Sequence, residues 1–199
     1  MRRNLIISAL FTLVAIGVAV PAMARGPLQV AIFAGGCFWT MEHGLEDIPG
    51  VVSAVSGYTG GREPHPTYED VSSERTGHVE AVRVTFDPSR ISYAQLVDRY
   101  WRLIDPTDAN GQACDQGPSY HAAIFVNSPE QRRIAEASRA AIDTGRLRGH
   151  IVTPIRDATP FWPAEEYHQH FTQKEPMRYQ AYRIGCGRDA ILRQIWGGR

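Results

Sequence analysis

The order in which two hydrophobic periods follow one another along this chain is what most limits its fold. Apolar Leu28 to Phe33 reads as a strand, Ala34-Gly35-Gly36 as a turn, and Cys37 to Asp47 as a short helix stopped by Ile48-Pro49-Gly50. Val51 to Ser56 reads as a second strand, and Val79 to Phe86 as a third with clear alternation. Ser92 can cap a helix over Tyr93 to Ile104, where Leu96, Tyr100 and Leu103 recur at core spacing. Ala122 to Val126 supplies a fourth strand. Ser128-Pro129-Glu130-Gln131 has the form of a capping box with proline at the first helical position, opening a helix to about Thr144, and a later strand is expected near Ile151 to Ile155. The order β-α-β-β-α-β predicts an α+β fold, the ferredoxin-like split βαβ two-layer sandwich.

Two stretches do not fit a minimal sandwich. Gly57 to His78 is longer than an ordinary connection and carries Gly, Tyr, Pro and His, so a long functional loop is expected there. The tail beyond Thr159 is expected to be largely irregular. Ahead of the sandwich, Arg2 and Arg3, the apolar run Leu5 to Val20 and the small-x-small Ala22-Met23-Ala24 read as a cleaved export signal over residues 1–24. That leaves residues 25–199 as a single domain in the periplasm or outside the cell. The apolar run is short for a membrane span, so contact with a membrane is expected only through the signal.

Lys plus Arg and Asp plus Glu balance at 21 each, with no basic run and no heptad pattern, which argues against nucleic acid and coiled coils. A monomer with a small or peptidic partner is expected. Three cysteines, Cys37, Cys114 and Cys186, cannot all pair within one chain, so one free or exchanging thiol is expected in an oxidising compartment.

Cys37 follows two glycines at a helix start, where unpaired amides and the helix dipole favour a thiolate. Beside it Phe38 and Trp39 can form an apolar wall for a methyl or thioether group. Strand period places Glu80 on one face with Val82, Val84 and Phe86; a carboxyl desolvated there has a raised pKa and can donate a proton near neutrality. A Cys37 hydrolase with His168 as base is one rival chemistry. A metal module built on His168, His170, Glu165 and Glu166 is another, but its spacing matches no zinc pattern, and neither metal nor cofactor is expected.

Gly35-Gly36-Cys37-Phe38-Trp39, Gly57-Tyr58-Thr59-Gly60-Gly61, Pro66-Thr67-Tyr68, Thr76-Gly77-His78 and Tyr167-His168-Gln169 together resemble the A-type peptide methionine sulfoxide reductases. The resemblance runs from about Val30 to about Phe171. It implies that Cys37 attacks the sulfur of an S-epimer methionine sulfoxide, that Glu80 protonates the oxygen, and that Tyr58, Tyr120 and Asp115 hydrogen-bond around it. It also implies that Phe38 and Trp39 hold the substrate methyl, and that Cys37 is left as a sulfenic acid. Four positions depart from the family pattern: Ile104 replaces a histidine, His121 an arginine and Cys114 an asparagine, while the usual tail Gly-Tyr-Cys stands as Arg178-Tyr179-Gln180. The departures bear on thiol recycling. Cys114 beside Asp115 is expected to point away from the site, and Cys186, between Gly185 and Gly187 in a tail that can swing, is expected to resolve Cys37 first. Cys114 then takes the next exchange or stays a buried bystander, and the final reductant is a thioredoxin-like partner.

Overall fold

The computed structural model describes residues 26–197, so the expected export signal lies outside the described residues. β1 (Gln29–Ala34), α1 (Phe38–Glu46), β2 (Val51–Thr59), β3 (Val79–Phe86), α3 (Tyr93–Trp101) and β6 (Ala123–Val126) form the split βαβ unit, with a short α2 (Tyr68–Ser72) between β2 and β3. β4 (Gly111–Gln112) and β5 (Asp115–Gln116) make a separate hairpin before β6. α4 (Pro129–Ile142), β7 (Ile155–Asp157) and β8 (Trp162–Pro163) follow. The main sheet runs β7-β6-β1-β3-β2-β8, and its four central strands are antiparallel neighbours in the ferredoxin-like order. β7 joins parallel to β6 at one edge, later in sequence than the expected Ile151 to Ile155, because Val152 and Thr153 donate instead to the Pro106 carbonyl.

One face of the sheet is the main core. Phe33, Val82, Val84, Phe86 and Ile124 meet Phe38, Met41 and Leu45 of α1, Leu96, Tyr100 and Trp101 of α3, and Ala135 of α4. Each such large side chain contributes about 1.5–3 kcal/mol when fully buried. The other face carries Ile32, Ala34, Val79, Ala81, Ala123 and Phe125, with Phe161 and Ala158 packed against it. α3 opens on a full capping box between Ser92 and Gln95. At α4 half of the expected box forms: Ser128 Oγ accepts from Gln131 N, while the Gln131 side chain reaches past it to Asn127 N and Val30 O. The helix gives way after Ile142 to a wider turn, Asp143–Leu147.

β2 runs three residues further than its expected end at Ser56. Gly57, the expected start of the long loop, pairs with Ala81 on one side and Pro163 on the other. A Cβ there would lie 2.3 Å from the Trp162 carbonyl oxygen, so glycine is what admits β8 to the edge. The extension puts Tyr58 directly opposite Glu80, on the same face.

Beyond Thr159 the chain holds more regular structure than expected: besides β8, it forms α5 (Phe171–Lys174), α6 (Pro176–Cys186) and α7 (Arg188–Trp196). Pro176 starts α6, and Gly187, at φ +66, breaks it from α7. The periodic signal is weak because Met177 and Ile184 face solvent while Tyr179 and Arg188 are buried. Trp196 anchors the end, donating from Nε1 to the Ile104 carbonyl at 3.0 Å. No helix among the described residues is long and apolar enough to cross a membrane.

Candidate active site

The site is built on the β1–α1 turn. Gly36 takes φ +78, and a Cβ on it would sit 2.6 Å from the Gln112 side chain. This turn delivers Cys37 to the N-cap of α1, where its carbonyl accepts from Thr40 N at 3.1 Å. The sulfur is a free thiol and the residue is only 6% exposed. Contrary to the expectation of a thiolate, the resting thiol is pushed well up, first by burial, then by the negative charges of Glu80 and Asp115. The Trp39 N–H and the Tyr182 hydroxyl act the other way. Burial, with the acidic neighbours adding to it, outweighs one helix terminus.

Glu80 lies where strand period put it, facing the main core at 3% exposure. Its Oε2 accepts from Phe38 N, the first amide after the cysteine, at 2.8 Å. Burial raises this carboxyl to about 8, against that hydrogen bond and with Asp115 adding to the rise. It is therefore largely a carboxylic acid at neutral pH.

Four tyrosines surround the pair. Tyr58 is fully buried and donates to Glu165 Oε2 at 2.9 Å, and Glu165 Oε1 accepts from Tyr68 N at 2.8 Å. Tyr120 ends the short turn Pro118–Tyr120, and its hydroxyl feels the charges of Glu80, Cys37 and Asp115. The Tyr68 hydroxyl lies beside those of Ser72 and Tyr120. Asp115 accepts from the Tyr182 hydroxyl; its carboxyl is raised by burial, against that bond, the Arg188 charge and the nearby Cys37 amide.

Phe38 is buried, with its ring 5.8 Å from Tyr58 and 4.9 Å from His168. Trp39 is half-buried and stacks on Phe171 at 3.7 Å with the planes 3° apart, while its Nε1 donates to His168 Nδ1 at 3.0 Å. The wall expected from Phe38 and Trp39 is thus braced by the tail.

Cys114 and Cys186 form a disulfide, with Cα atoms 5.0 Å apart. Cys114 does not point away as expected: its Sγ lies 3.8 Å from Asp115 Oδ1, and it is exposed on the β4–β5 turn and bonded to Cys186, so the buried-bystander alternative is corrected as well. A hairpin turn of two residues leaves no room to bury it. Cys186 ends α6 instead of lying in a loose tail, and four residues earlier the same helix face carries Tyr182.

The rival chemistries lose their geometry. His168 is tied to Trp39, its ring nitrogen pair is desolvated, and no hydrogen bond among the described residues joins it to Cys37. The expected acidic-histidine group disperses: Glu165 serves Tyr58, Glu166 pairs with Lys174, and His170 turns to Glu46. Glu42, Glu46 and His170 do bring their ligand atoms within 4.8 Å of one another, but one Glu42 carboxylate oxygen already accepts from the Ser56 hydroxyl and the His170 amide.

The sequence model of the peptide methionine sulfoxide reductase family matches residues 29–199. The chain belongs to that family. Peptide methionine sulfoxide reductase MsrA 2 of Caulobacter vibrioides is 51% identical over 98% of this chain and 100% of the relative. Among solved structures, reduced Mxr1 of Saccharomyces cerevisiae is 28% identical with a TM-score of 0.72, covering 78% of this chain and 88% of that one. Methionine sulfoxide reductase A of Corynebacterium diphtheriae is 30% identical with a TM-score of 0.67, covering 77% of each chain. This protein is accordingly an A-type reductase, an oxidoreductase that reduces methionine sulfoxide with a thiol. Sequence reasoning missed three residues that the structure sets beside the named ones: Tyr68 near Tyr120, Tyr182 on Asp115 and Arg188 against Gly36. Tyr179 and Tyr182 three apart in the tail were the available signal for a helix face.

Proposed function

We propose that the reductase acts on the S epimer of methionine sulfoxide with Cys37 as nucleophile and Glu80 as acid. The observation that carries this reading is a buried thiol beside a carboxyl that stays protonated to about pH 8. A sulfoxide sulfur becomes electrophilic once its oxygen is protonated or strongly hydrogen-bonded. Glu80 gives its proton to that oxygen, with the Tyr58 and Tyr120 hydroxyls and Asp115 beside it, and Phe38 and Trp39 take the methyl group. A neutral Glu80 also spares the thiol one of its two repelling charges. In net terms the sulfoxide S–O bond breaks, an S–O bond forms on Cys37, and sulfoxide plus thiol become methionine plus sulfenic acid.

Recycling proceeds from there. The Cys186 thiol attacks the sulfenic sulfur, releasing water and forming a Cys37–Cys186 disulfide; Cys114 then attacks Cys186, returning Cys37 as a thiol. Cys186 as first resolver is supported by its place one turn from Tyr182, whose hydroxyl bonds to Asp115 and reaches Cys37. A thioredoxin-like dithiol reduces the exposed Cys114–Cys186 bond, becoming oxidised in turn. We assign the work to a monomer exported by the segment 1–24, repairing oxidised proteins in the periplasm or outside the cell.

Separated epimers supplied with a dithiol reductant test the reading. Turnover is expected on the S epimer, and activity confined to the R epimer contradicts it. Peptide mapping after one equivalent of sulfoxide tests the order: Cys37–Cys186 should precede Cys114–Cys186, and a dominant Cys37–Cys114 link would reverse it.

A further inference from the structure

Arg188 is 2% exposed, and nothing in the reaction scheme above uses it. Its Nη2 donates to the Gly35 carbonyl and to the Leu103 carbonyl, each at 2.7 Å. Its Nη1 lies 2.9 Å from where a Cβ on Gly36 would stand. The side chain thus grips both glycines of the turn that carries the nucleophile. Nε and Nη1 are buried with no hydrogen-bond partner. A guanidinium does not shed its charge, so a buried one needs negative charge nearby to be tolerated. The groups whose charge reaches it are Tyr182, Cys37, Asp115 and Tyr179, which oppose the effect of burial.

Position in the chain adds a second link. Arg188 opens α7 two residues after Cys186, whose disulfide partner Cys114 immediately precedes Asp115. The Asp115 carboxyl in turn stands near the Cys37 amide. The disulfide and the Arg188–Gly35 hydrogen bond thus tie the segments that carry Asp115 and Arg188 to the nucleophile turn.

We propose that Arg188 is a positioning residue that holds the Gly35-Gly36-Cys37 turn and supplies the positive charge that makes the Cys37 thiolate accessible in a pocket bearing Glu80 and Asp115. The proposal rests on Cys37 being the reactive thiol, and it is tested on that thiol without sulfoxide. With the Cys114–Cys186 disulfide closed, Cys37 is the free thiol, so the rate of its alkylation by iodoacetamide against pH reports its ionisation.

An opposite charge within about 4–6 Å shifts a group by about 1–3 units, and Nη1 stands against Gly36, the residue next to Cys37. Arg188→Met should therefore slow alkylation at least about tenfold at a given pH and move the midpoint of the profile upward. Arg188→Lys keeps the charge but not the double carbonyl grip, and should recover most of that loss. Circular dichroism on each variant shows whether the fold is intact. A midpoint in folded Arg188→Met equal to wild type overturns the proposal, as does a shift in Arg188→Lys as large as in Arg188→Met. If Arg188→Met does not fold, the Arg188→Lys comparison with wild type decides: a midpoint displaced by a full unit despite the retained charge overturns it. Failure of the epimer assay alongside a normal Arg188 effect would count against the sulfoxide reading alone.

Discussion

Cys37→Ser should show no turnover above the uncatalysed background, while Cys114→Ser and Cys186→Ser each still release one equivalent of methionine per enzyme. The difference follows from where the three sulfurs stand. Cys37 is the free thiol, buried at the helix start and in electrostatic contact with Glu80, whereas the other two are bonded to one another on an exposed turn and a helix end. Serine keeps the shape, but a hydroxyl is far less acidic and less nucleophilic than a thiol, so the attack on sulfur stops. The measurement is methionine release in a single turnover without reductant, followed by steady-state turnover with a dithiol. Substantial turnover by Cys37→Ser would remove the nucleophile from this account.

Glu80→Gln should lose about 10²–10⁴-fold in the single-turnover rate, the usual worth of a positioned general acid. The amide can still accept from the Phe38 N–H, so the turn geometry survives and the loss reports the proton. The pH dependence gives an independent check with a definite sign. Only the protonated carboxyl donates, and its fraction falls as pH rises through about 8. The thiol ionises in the opposite direction, since its own pKa is raised by burial and by its acidic neighbours. To first order the ratio of wild-type to Glu80→Gln rates cancels the thiol, so that ratio should be largest below pH 8 and shrink above it. A ratio that grows with pH would show Glu80 working as a carboxylate.

Much of this was legible before any coordinates. Alternation along Val79 to Phe86 placed Glu80 on the core face, because a strand period of two leaves no choice once Val82, Val84 and Phe86 point inward. The strand-turn-helix around Cys37 was equally readable from two glycines. The loop expected from Gly57 begins later for a physical reason: the glycine there admits a neighbouring strand, a tertiary demand that no window of sequence contains. The tail was underread because its helices are held by tyrosines and a buried arginine, not by a stripe of aliphatic residues. The helix terminus that signals a thiolate in sequence is outweighed first by burial, then by Glu80 and by Asp115, which approaches from a hairpin far along the chain.

The central claim is that sulfoxide oxygen passes to Cys37, and trapping the sulfenic acid tests it most directly. A Cys114→Ser, Cys186→Ser double variant, given one equivalent of methionine-S-sulfoxide with dimedone present, cannot resolve the oxidised cysteine. The account predicts one equivalent of methionine and a dimedone adduct on Cys37. Methionine released with no adduct on Cys37, or no methionine released by the folded protein, would contradict it.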